Sequence, residues 1–182
     1  MSLRKRVADA KANLQTATTE RVSEALLRIQ EDMSKLPKTT STIERDVVMN
    51  PYEVRVTVHP QTGIWQHGTF VFALRFSESF PHEGPKVDYR GPNRIFHPNI
   101  EGEARRVGDT QQWGVCLGLQ LRWEPKYTIG QLILCIEMLF LEPNADDSLP
   151  GIAKTAAELM RRDPKRFELI AQAWMAQNYI TP

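Results

Sequence analysis

The residue with the clearest capacity for chemistry is Cys116, in the segment Gly114-Val115-Cys116-Leu117. The thiolate is the nucleophilic form of cysteine, so a reactive thiol has to be reachable and deprotonated at least transiently. Glycines at positions 114 and 118 favour a loop that exposes the thiol. The alternative is a buried cysteine that serves as a small apolar side chain, which is the common fate of a free cysteine.

The second cysteine, Cys135, fits that alternative. It stands in the apolar run of residues 132–136, and we expect it in the core. Two cysteines in 182 residues are too few for a disulfide-stapled secreted domain. A reducing compartment is therefore expected, with both thiols free.

A histidine near a nucleophilic cysteine would suit a Cys–His hydrolase, and His97 raises that alternative. His97 and Cys116, however, belong to a longer series of motifs. In chain order these are Gly63-Ile64-Trp65-Gln66-His67-Gly68-Thr69-Phe70, Phe80-Pro81-His82-Glu83-Gly84-Pro85-Lys86-Val87, Phe96-His97-Pro98-Asn99-Ile100, Gly114-Val115-Cys116-Leu117, Trp123-Glu124-Pro125 and Leu139-Phe140-Leu141-Glu142-Pro143-Asn144.

Taken together, these motifs resemble the ubiquitin-conjugating enzyme family over most of the chain, from about residue 22 to about residue 178. The resemblance implies an α+β ubiquitin-conjugating (UBC) fold with an N-terminal helix, a four-stranded antiparallel meander and C-terminal helices. It also implies a transferase in which Cys116 accepts a ubiquitin-like modifier as a thioester and passes it to a substrate lysine. His97 and Pro98 would then be structural, which disfavours the hydrolase.

Two further residues acquire roles from the resemblance. Asn99 would lie beside the thioester, where its amide either donates a hydrogen bond to the developing oxyanion or holds the loop in shape. Asp147 would orient the incoming lysine, with Asp146 as the alternative. An acidic pair is also common in a solvated turn.

Several segments are similar to the neddylation branch of the family, which conjugates the Nedd-type (Rub) modifier. His82 stands where many ubiquitin-specific members carry an aromatic residue. The other segments are Leu27-Arg28-Ile29-Gln30 with Asp32, Leu36-Pro37-Lys38-Thr39, and residues 139–144 with Asp147. A ubiquitin-specific conjugating enzyme and a catalytically silent scaffold of the same fold are the alternatives.

The family's partners imply two docking surfaces. Arg28 and Gln30 on the first helix would contact the activating enzyme. A RING-type ligase would dock on Phe80, Pro81, His82, Trp123 and Pro125, although a loop rim, a core tryptophan and a turn proline explain these residues almost as well. No metal or organic cofactor is expected, because the activating enzyme is the one that uses ATP.

Hydrophobic periodicity predicts the elements that position these residues. Apolar residues recur at helical spacing from Val22 to Leu36, and Pro37 ends that helix. Thr128 and Gln131 have the spacing of a capping box before a buried helix. Strands are predicted by alternation at residues 52–58 and 70–76, with less regular strands near residues 42–48 and 86–89, and a last helix starts at Asp163-Pro164.

The link between Asn99 and Cys116 departs from the family pattern. The two residues are 17 positions apart, about twice the family spacing, and residues 101–113 are mostly polar. Residues 91–125 show no clear periodicity, so we expect an irregular stretch with a flexible loop beside the nucleophile.

The composition of the chain excludes some classes of protein. The net charge is +1, from 23 basic and 22 acidic residues, which is too balanced for a general nucleic-acid binder. The sequence contains no run of eighteen apolar residues, so no membrane span is predicted. We expect a flexible N-terminal arm at residues 1–17, a catalytic domain at residues 18–182, and a cytoplasmic and nuclear protein with protein partners.

Overall fold

A computed structural model describes residues 23–101 and 104–182 of the chain. The predicted arm at residues 1–17 and the predicted helix start at Val22 lie outside these described residues. One helix precedes the antiparallel sheet and the other helices follow it, in the order expected, which confirms the α+β class. The elements are α1 (Glu24–Ser34), β1 (Thr42–Glu44), β2 (Glu53–Val58), β3 (Phe70–Arg75), β4 (Lys86–Tyr89), β5 (Arg105–Val107), β6 (Thr110–Gly114), α2 (Gly118–Leu121), α3 (Ile129–Leu141), α4 (Ile152–Arg162) and α5 (Pro164–Met175).

The sheet is antiparallel, with the strand order β1-β2-β3-β4-β6-β5. Strands β1 to β4 form the predicted meander. Along β2, Val54, Val56 and Val58 are buried while Arg55 is exposed, as the alternation predicts for a strand with one face on the core.

The prediction of a flexible loop before Cys116 is wrong for most of that segment. Residues 105–114 form a β-hairpin, β5 and β6, that extends the meander by two strands. Its inner strand pairs with β4 through Tyr89 and Trp113, whose rings lie 5.4 Å apart. The hairpin is short and mostly polar, so its sequence lacks the apolar alternation that predicts a strand; burial of Trp113 against Tyr89 anchors it instead.

Helix α3 is the central helix of the fold. Thr128 caps it and exchanges hydrogen bonds with Gln131, as the capping-box spacing predicts. Its buried side chains include Ile129, Leu132, Ile133, Ile136 and Phe140, and they pack with the inner face of the sheet in one apolar core. The segments that precede and follow this helix are therefore attached to a rigid element.

The C-terminal helices complete the core. Asp163 caps α5, and Pro164 occupies its first turn, as predicted. No apolar run predicts α4, because its buried face consists largely of alanines, Ala153, Ala156 and Ala157. None of the helices in the two described ranges is long and apolar enough to cross a membrane.

Candidate active site

Cys116 lies just after β6, at the point where the inserted hairpin returns to the domain. Its backbone N–H donates to the carbonyl of Asn99 at 2.8 Å, and the N–H of Glu101 donates to the carbonyl of Gly114 at 2.9 Å. Between these two bonds, Ile100 and Val115 form an antiparallel bridge. The backbone thus closes the insertion at its base, so Asn99 and Cys116 are adjacent despite the 17 positions between them.

The side chain of Glu101 stabilises the same closure. One carboxylate oxygen accepts a hydrogen bond from the Gly114 N–H at 2.8 Å and lies 3.4 Å from Arg105 Nε. A Cβ at position 114 would lie 2.6 Å from the Glu101 carboxylate carbon, so a larger residue there would displace this side chain from its bond to the Gly114 N–H. The base of the hairpin therefore presents a fixed backbone to Cys116.

The Cys116 thiol is partly exposed, and its nearest charged group is Asp147. Sγ lies 3.9 Å from Asp147 Oδ2. Partial burial raises the pKa of the Cys116 thiol, and the negative charge and hydrogen-bond acceptor of Asp147 raise it further. Cys116 is consequently held mainly as a protonated thiol at neutral pH.

The adjacent acid, Asp146, points elsewhere. Its carboxylate pairs with Arg161 of α4 at 2.8 Å, and its N–H donates to Asn144 Oδ1 at 3.0 Å. Asp147 is exposed and faces the sulfur. Of the two candidates, the structure therefore brings only Asp147 to the nucleophile.

The amide of Asn99 is buried and fully engaged with the loop after α3. Nδ2 donates to the carbonyls of Asn144 at 2.8 Å and of Asp147 at 3.0 Å, while Oδ1 accepts from the Asn144 N–H at 2.9 Å. Both amide protons are used, so none is left for an oxyanion in this geometry. The arrangement favours the loop-holding role of Asn99 over the oxyanion role.

His97 is completely buried and bonds only to backbone. The Asn99 N–H donates to Nδ1 at 2.9 Å, which leaves the proton on Nε2, and that nitrogen bonds to the carbonyl of Leu139 at 2.9 Å. Burial lowers the pKa of His97 to about 4, although the bond to Leu139 acts in the opposite direction. The imidazole is thus neutral and does not reach the thiol as a base would.

Pro98 holds the far end of the loop that follows α3 and carries Asp147. It is buried, and its carbonyl accepts the N–H of Leu149 at 3.1 Å. Together, His97, Pro98 and Asn99 connect three backbone segments, namely the start of the insertion, the end of α3 and the loop that carries Asp147. This connection sets the distance between the carboxylate and the sulfur.

A cleft of about 590 Å³ opens beside Cys116. Its walls come from α2, α3 and the loop of Asp147, and they include Leu119, Met138 and Cys135. Cys135 packs against the apolar core as expected, but its thiol is only partly buried and also lines this cleft. Its helical, apolar context gave no signal of that exposure. An elongated chain could lie in this cleft with its end at Cys116.

The five predicted ligase contacts differ in their exposure. Phe80 and Pro81 are buried, Trp123 is partly buried, and His82 and Pro125 are exposed. The indole N–H of Trp123 donates to the carbonyl of Pro81 at 2.8 Å, and its ring lies 5.9 Å from that of Phe80. The structure therefore brings the two motifs together, with His82 and Pro125 available to a partner.

The two predicted activating-enzyme contacts differ in their surroundings. Gln30 is exposed on α1. Arg28 instead points into the domain, where it bonds to Asp32 of its own helix and to the carbonyls of Pro125 and Tyr127. The helical pattern places both residues on α1 but does not predict these long-range bonds.

Within residues 23–101 and 104–182, no group of three histidine, cysteine or carboxylate side chains is placed to hold a metal ion. Beside the Cys116 thiol and the Asp147 carboxylate, the cleft is lined by apolar side chains and by the charged residues Arg122 and Glu124. Such a site can accept an acyl group on sulfur and release it to an amine.

Comparison with known proteins identifies relatives of this arrangement. Residues 28–175 match the family model described as ubiquitin-conjugating enzyme. The NEDD8-conjugating enzyme Ubc12 of Arabidopsis thaliana is 33% identical over 170 residues, covering 90% of this chain and 83% of the relative. The NEDD8-conjugating enzyme UBC12 of Eremothecium gossypii is 32% identical over 160 residues, covering 87% and 79% respectively.

A solved structure shares the fold. Ubc12 of S. cerevisiae superposes with a TM-score of 0.76 at 28% sequence identity, covering 99% of this chain and 94% of that one. The two chains therefore share the same overall fold.

Proposed function

Because this chain belongs to the ubiquitin-conjugating enzyme family, we propose that it carries a Nedd-type modifier as a thioester on Cys116 and transfers it to a substrate lysine. As a member of that family it is a transferase whose partners are, in general, a ubiquitin-like modifier, an activating enzyme and a ligase. The single observation that carries the assignment of the site is the partly exposed Cys116 sulfur, 3.9 Å from the Asp147 carboxylate at the edge of a cleft.

The first step is an exchange between two sulfurs. The Cys116 thiolate attacks the carbonyl of the modifier's C-terminal thioester on the activating enzyme, forming a new S–C bond. The S–C bond to the activating enzyme breaks, and the departing thiolate takes up a proton. Since the pKa of the Cys116 thiol is raised, the thiolate is a minor form at neutral pH, and Asp147 disfavours it.

The second step moves the acyl group to nitrogen. The ε-amine of the substrate lysine attacks the thioester, an N–C bond forms, and the Cys116 thiolate leaves. Asp147 is placed to accept hydrogen bonds from the incoming ammonium and to take its proton. Asn99 acts on this step through the loop, because its two donated hydrogen bonds hold the backbone of residues 144–147.

The names of the relatives support the Nedd-type modifier, since both curated relatives above are NEDD8-conjugating enzymes. The ligase of this proposal is of the RING type and docks on the exposed His82 and Pro125 and on the partly exposed Trp123, with the buried Phe80 and Pro81 packed beneath them. Gln30 on α1 contacts the activating enzyme. The chain itself uses no metal or organic cofactor, because ATP is consumed when the activating enzyme forms the first thioester.

The experiment is a charging assay. The chain is incubated with ATP and either the Nedd-type modifier or ubiquitin, each with its own activating enzyme, and the products are separated on a non-reducing gel. We expect an adduct with the Nedd-type modifier that dithiothreitol removes and that Cys116→Ser abolishes. The same adduct in Cys135→Ser would exclude the second thiol as the acceptor.

Other outcomes would assign the chain differently. Charging by ubiquitin alone, with its own activating enzyme, would indicate a ubiquitin-specific enzyme. No adduct with either modifier would indicate a silent scaffold and overturn the proposal.

A further inference from the structure

We propose that Arg28 is a positioning residue that assembles the ligase-binding surface, rather than a contact for the activating enzyme. This inference rests on the proposed function, because it concerns the surface on which the ligase docks. Arg28 stands on α1 but its side chain crosses to another part of the domain, so its contacts describe its role better than its place in the sequence does.

The guanidinium joins α1 to the segment between α2 and α3. Its Nη1 donates to the carbonyl of Pro125 at 2.9 Å, and its Nη2 donates to the carbonyl of Tyr127 at 2.7 Å. These acceptors lie 97 and 99 positions away along the chain. The backbone on both sides of Lys126 is thus held by one side chain, which places Pro125 at the surface.

Asp32 sets the direction of the guanidinium. Its Oδ1 accepts from Arg28 Nε at 2.9 Å, and its Oδ2 accepts from the N–H of Ile129, the first residue of α3, at 2.9 Å. Asp32 is only 6% exposed, so its charge is compensated inside the domain. Arg28 and Asp32 therefore connect α1, the ligase-facing segment and the start of the central helix.

Arg28 also touches the second half of the proposed ligase surface. Its guanidinium carbon lies 5.7 Å from the centre of the Phe80 ring, within cation–π range. The next residue, Pro81, accepts the indole N–H of Trp123. Both segments of the surface consequently depend on the same side chain.

Lysine cannot reproduce these contacts. Three acceptors in different directions require the planar fork of a guanidinium, whereas an ammonium is a point donor on a flexible stem. Arg28 is only 20% exposed, and each of its three nitrogens already donates a bond. It therefore offers little to an activating enzyme, whereas the exposed Gln30 remains available.

The test compares Arg28→Lys and Arg28→Ala with the wild-type chain and with Arg45→Lys. Arg45 is a matched control, because its Nε and Nη2 donate to one backbone carbonyl, that of Pro51, in the loop between β1 and β2. For each protein one measures charging by the activating enzyme, discharge of the thioester to free lysine, and the rate of discharge against the concentration of a purified RING-type ligase that accelerates the wild type.

We expect Arg28→Lys to raise the KM for the ligase on the order of tenfold, as for the loss of about 1.4 kcal/mol of binding. The maximal rate at saturating ligase, the charging rate and the ligase-free discharge should stay within about twofold of wild type. Arg28→Ala should have the larger effect, and Arg45→Lys should change none of the four quantities. If Arg28→Ala does not fold, Arg28→Lys alone decides, since charging to completion shows that it is folded.

Two results would overturn the inference. A ligase KM within twofold of wild type in Arg28→Lys would mean that the guanidinium does not organise the surface. A loss of charging equal to the loss of ligase response would make Arg28 an activating-enzyme contact. Failure of the wild-type chain to form any Cys116 thioester is a distinct result, which would overturn the proposed function and this inference with it.

Discussion

The Cys116 sulfur and the Asp147 carboxylate lie 3.9 Å apart, and in the proposed function the carboxylate has opposite effects on the two half-reactions. A carboxylate beside a thiol raises the pKa of the thiol and so disfavours the nucleophile of the first step. The same carboxylate favours a positively charged lysine and can take its proton in the second step. In the proposed function, Asp147 therefore makes the free thiol less reactive but promotes transfer of the modifier to an amine.

Replacing Asp147 with asparagine should separate these effects. Without the negative charge the pKa of Cys116 falls, so a larger fraction is thiolate at pH 7 and alkylation by iodoacetamide becomes several times faster. Discharge of the thioester to lysine should slow on the order of tenfold or more. Alkylation is followed by mass spectrometry in a Cys135→Ser background, so that only one thiol is counted.

The matched control for this experiment is Asp146→Asn. Asp146 pairs with Arg161 and does not contact the sulfur, so its replacement should leave both rates near those of the wild type. If Asp147→Asn slowed alkylation, or if both variants behaved alike, the carboxylate would not act on Cys116 as described.

Asn99→Asp should weaken the loop that carries Asp147. An aspartate keeps an oxygen to accept from the Asn144 N–H but places a second oxygen against the carbonyls of Asn144 and Asp147, where Nδ2 now donates. We expect a loss of about 1–3 kcal/mol in the free energy of unfolding, measured by urea denaturation, together with slower discharge.

Asn178→Asp is the control for that loss. The Asn178 side chain is exposed, so the same chemical change there should alter the free energy of unfolding by less than about 0.5 kcal/mol. Equal stabilities of the Asn99→Asp variant and the wild type would show that the amide does not hold the loop.

The buried imidazole of His97 predicts a pH dependence of stability. Its pKa is about 4 in the folded protein, below the ordinary value of 6.5, so the unfolded chain binds the extra proton more readily. The contribution of the neutral ring is fully present above about pH 6.5 and is lost progressively as the pH falls towards 4. The slope from this residue is at most about 1.4 kcal/mol per pH unit.

Urea denaturation of the wild type and of His97→Gln at pH 7 and at pH 5 isolates that contribution. Carboxylates titrate in both proteins, so the difference between the proteins reports His97. We expect the wild-type advantage to be smaller at pH 5 than at pH 7. An advantage that was unchanged or larger at pH 5 would contradict the neutral, buried imidazole.

Gly84→Ala should disturb the surface formed with Trp123. A Cβ at position 84 would lie 2.7 Å from Cγ and 2.9 Å from Cβ of Trp123, too close for either to accommodate without displacement. Overpacking of this kind costs about 1–3 kcal/mol of stability, and the displaced indole would lose its bond to the Pro81 carbonyl. Urea denaturation measures the first effect and ligase-stimulated discharge the second.

Gly118→Ala serves as the glycine control for stability. A Cβ there meets only Arg122 Nη2 at 3.4 Å, and alanine is favoured within a helix. Its free energy of unfolding should therefore be equal to or greater than that of the wild type. If Gly84→Ala were as stable as Gly118→Ala, the close packing against Trp123 would not be a constraint.

Local patterns predicted the elements with strong local signals. Strands β2 and β3 lie within the predicted residues 52–58 and 70–76, and the caps at Thr128 and Asp163 begin helices where expected. Elements without such signals were missed. The hairpin of β5 and β6 depends on one tryptophan that packs across the chain, and the buried face of α4 is made of alanines, which contribute little to an apolar pattern.

The sequence by itself determined the kind of chemistry, because a cysteine between glycines and an ordered set of short motifs are properties of neighbouring residues. Only the tertiary structure decided how the groups are used: that Asp147 and not Asp146 faces the sulfur, that the Asn99 amide is engaged by the loop, and that Arg28 points inward. Each of these depends on contacts between residues 31 to 99 positions apart. Periodicity and caps act over a few residues, so they cannot specify which distant segments meet.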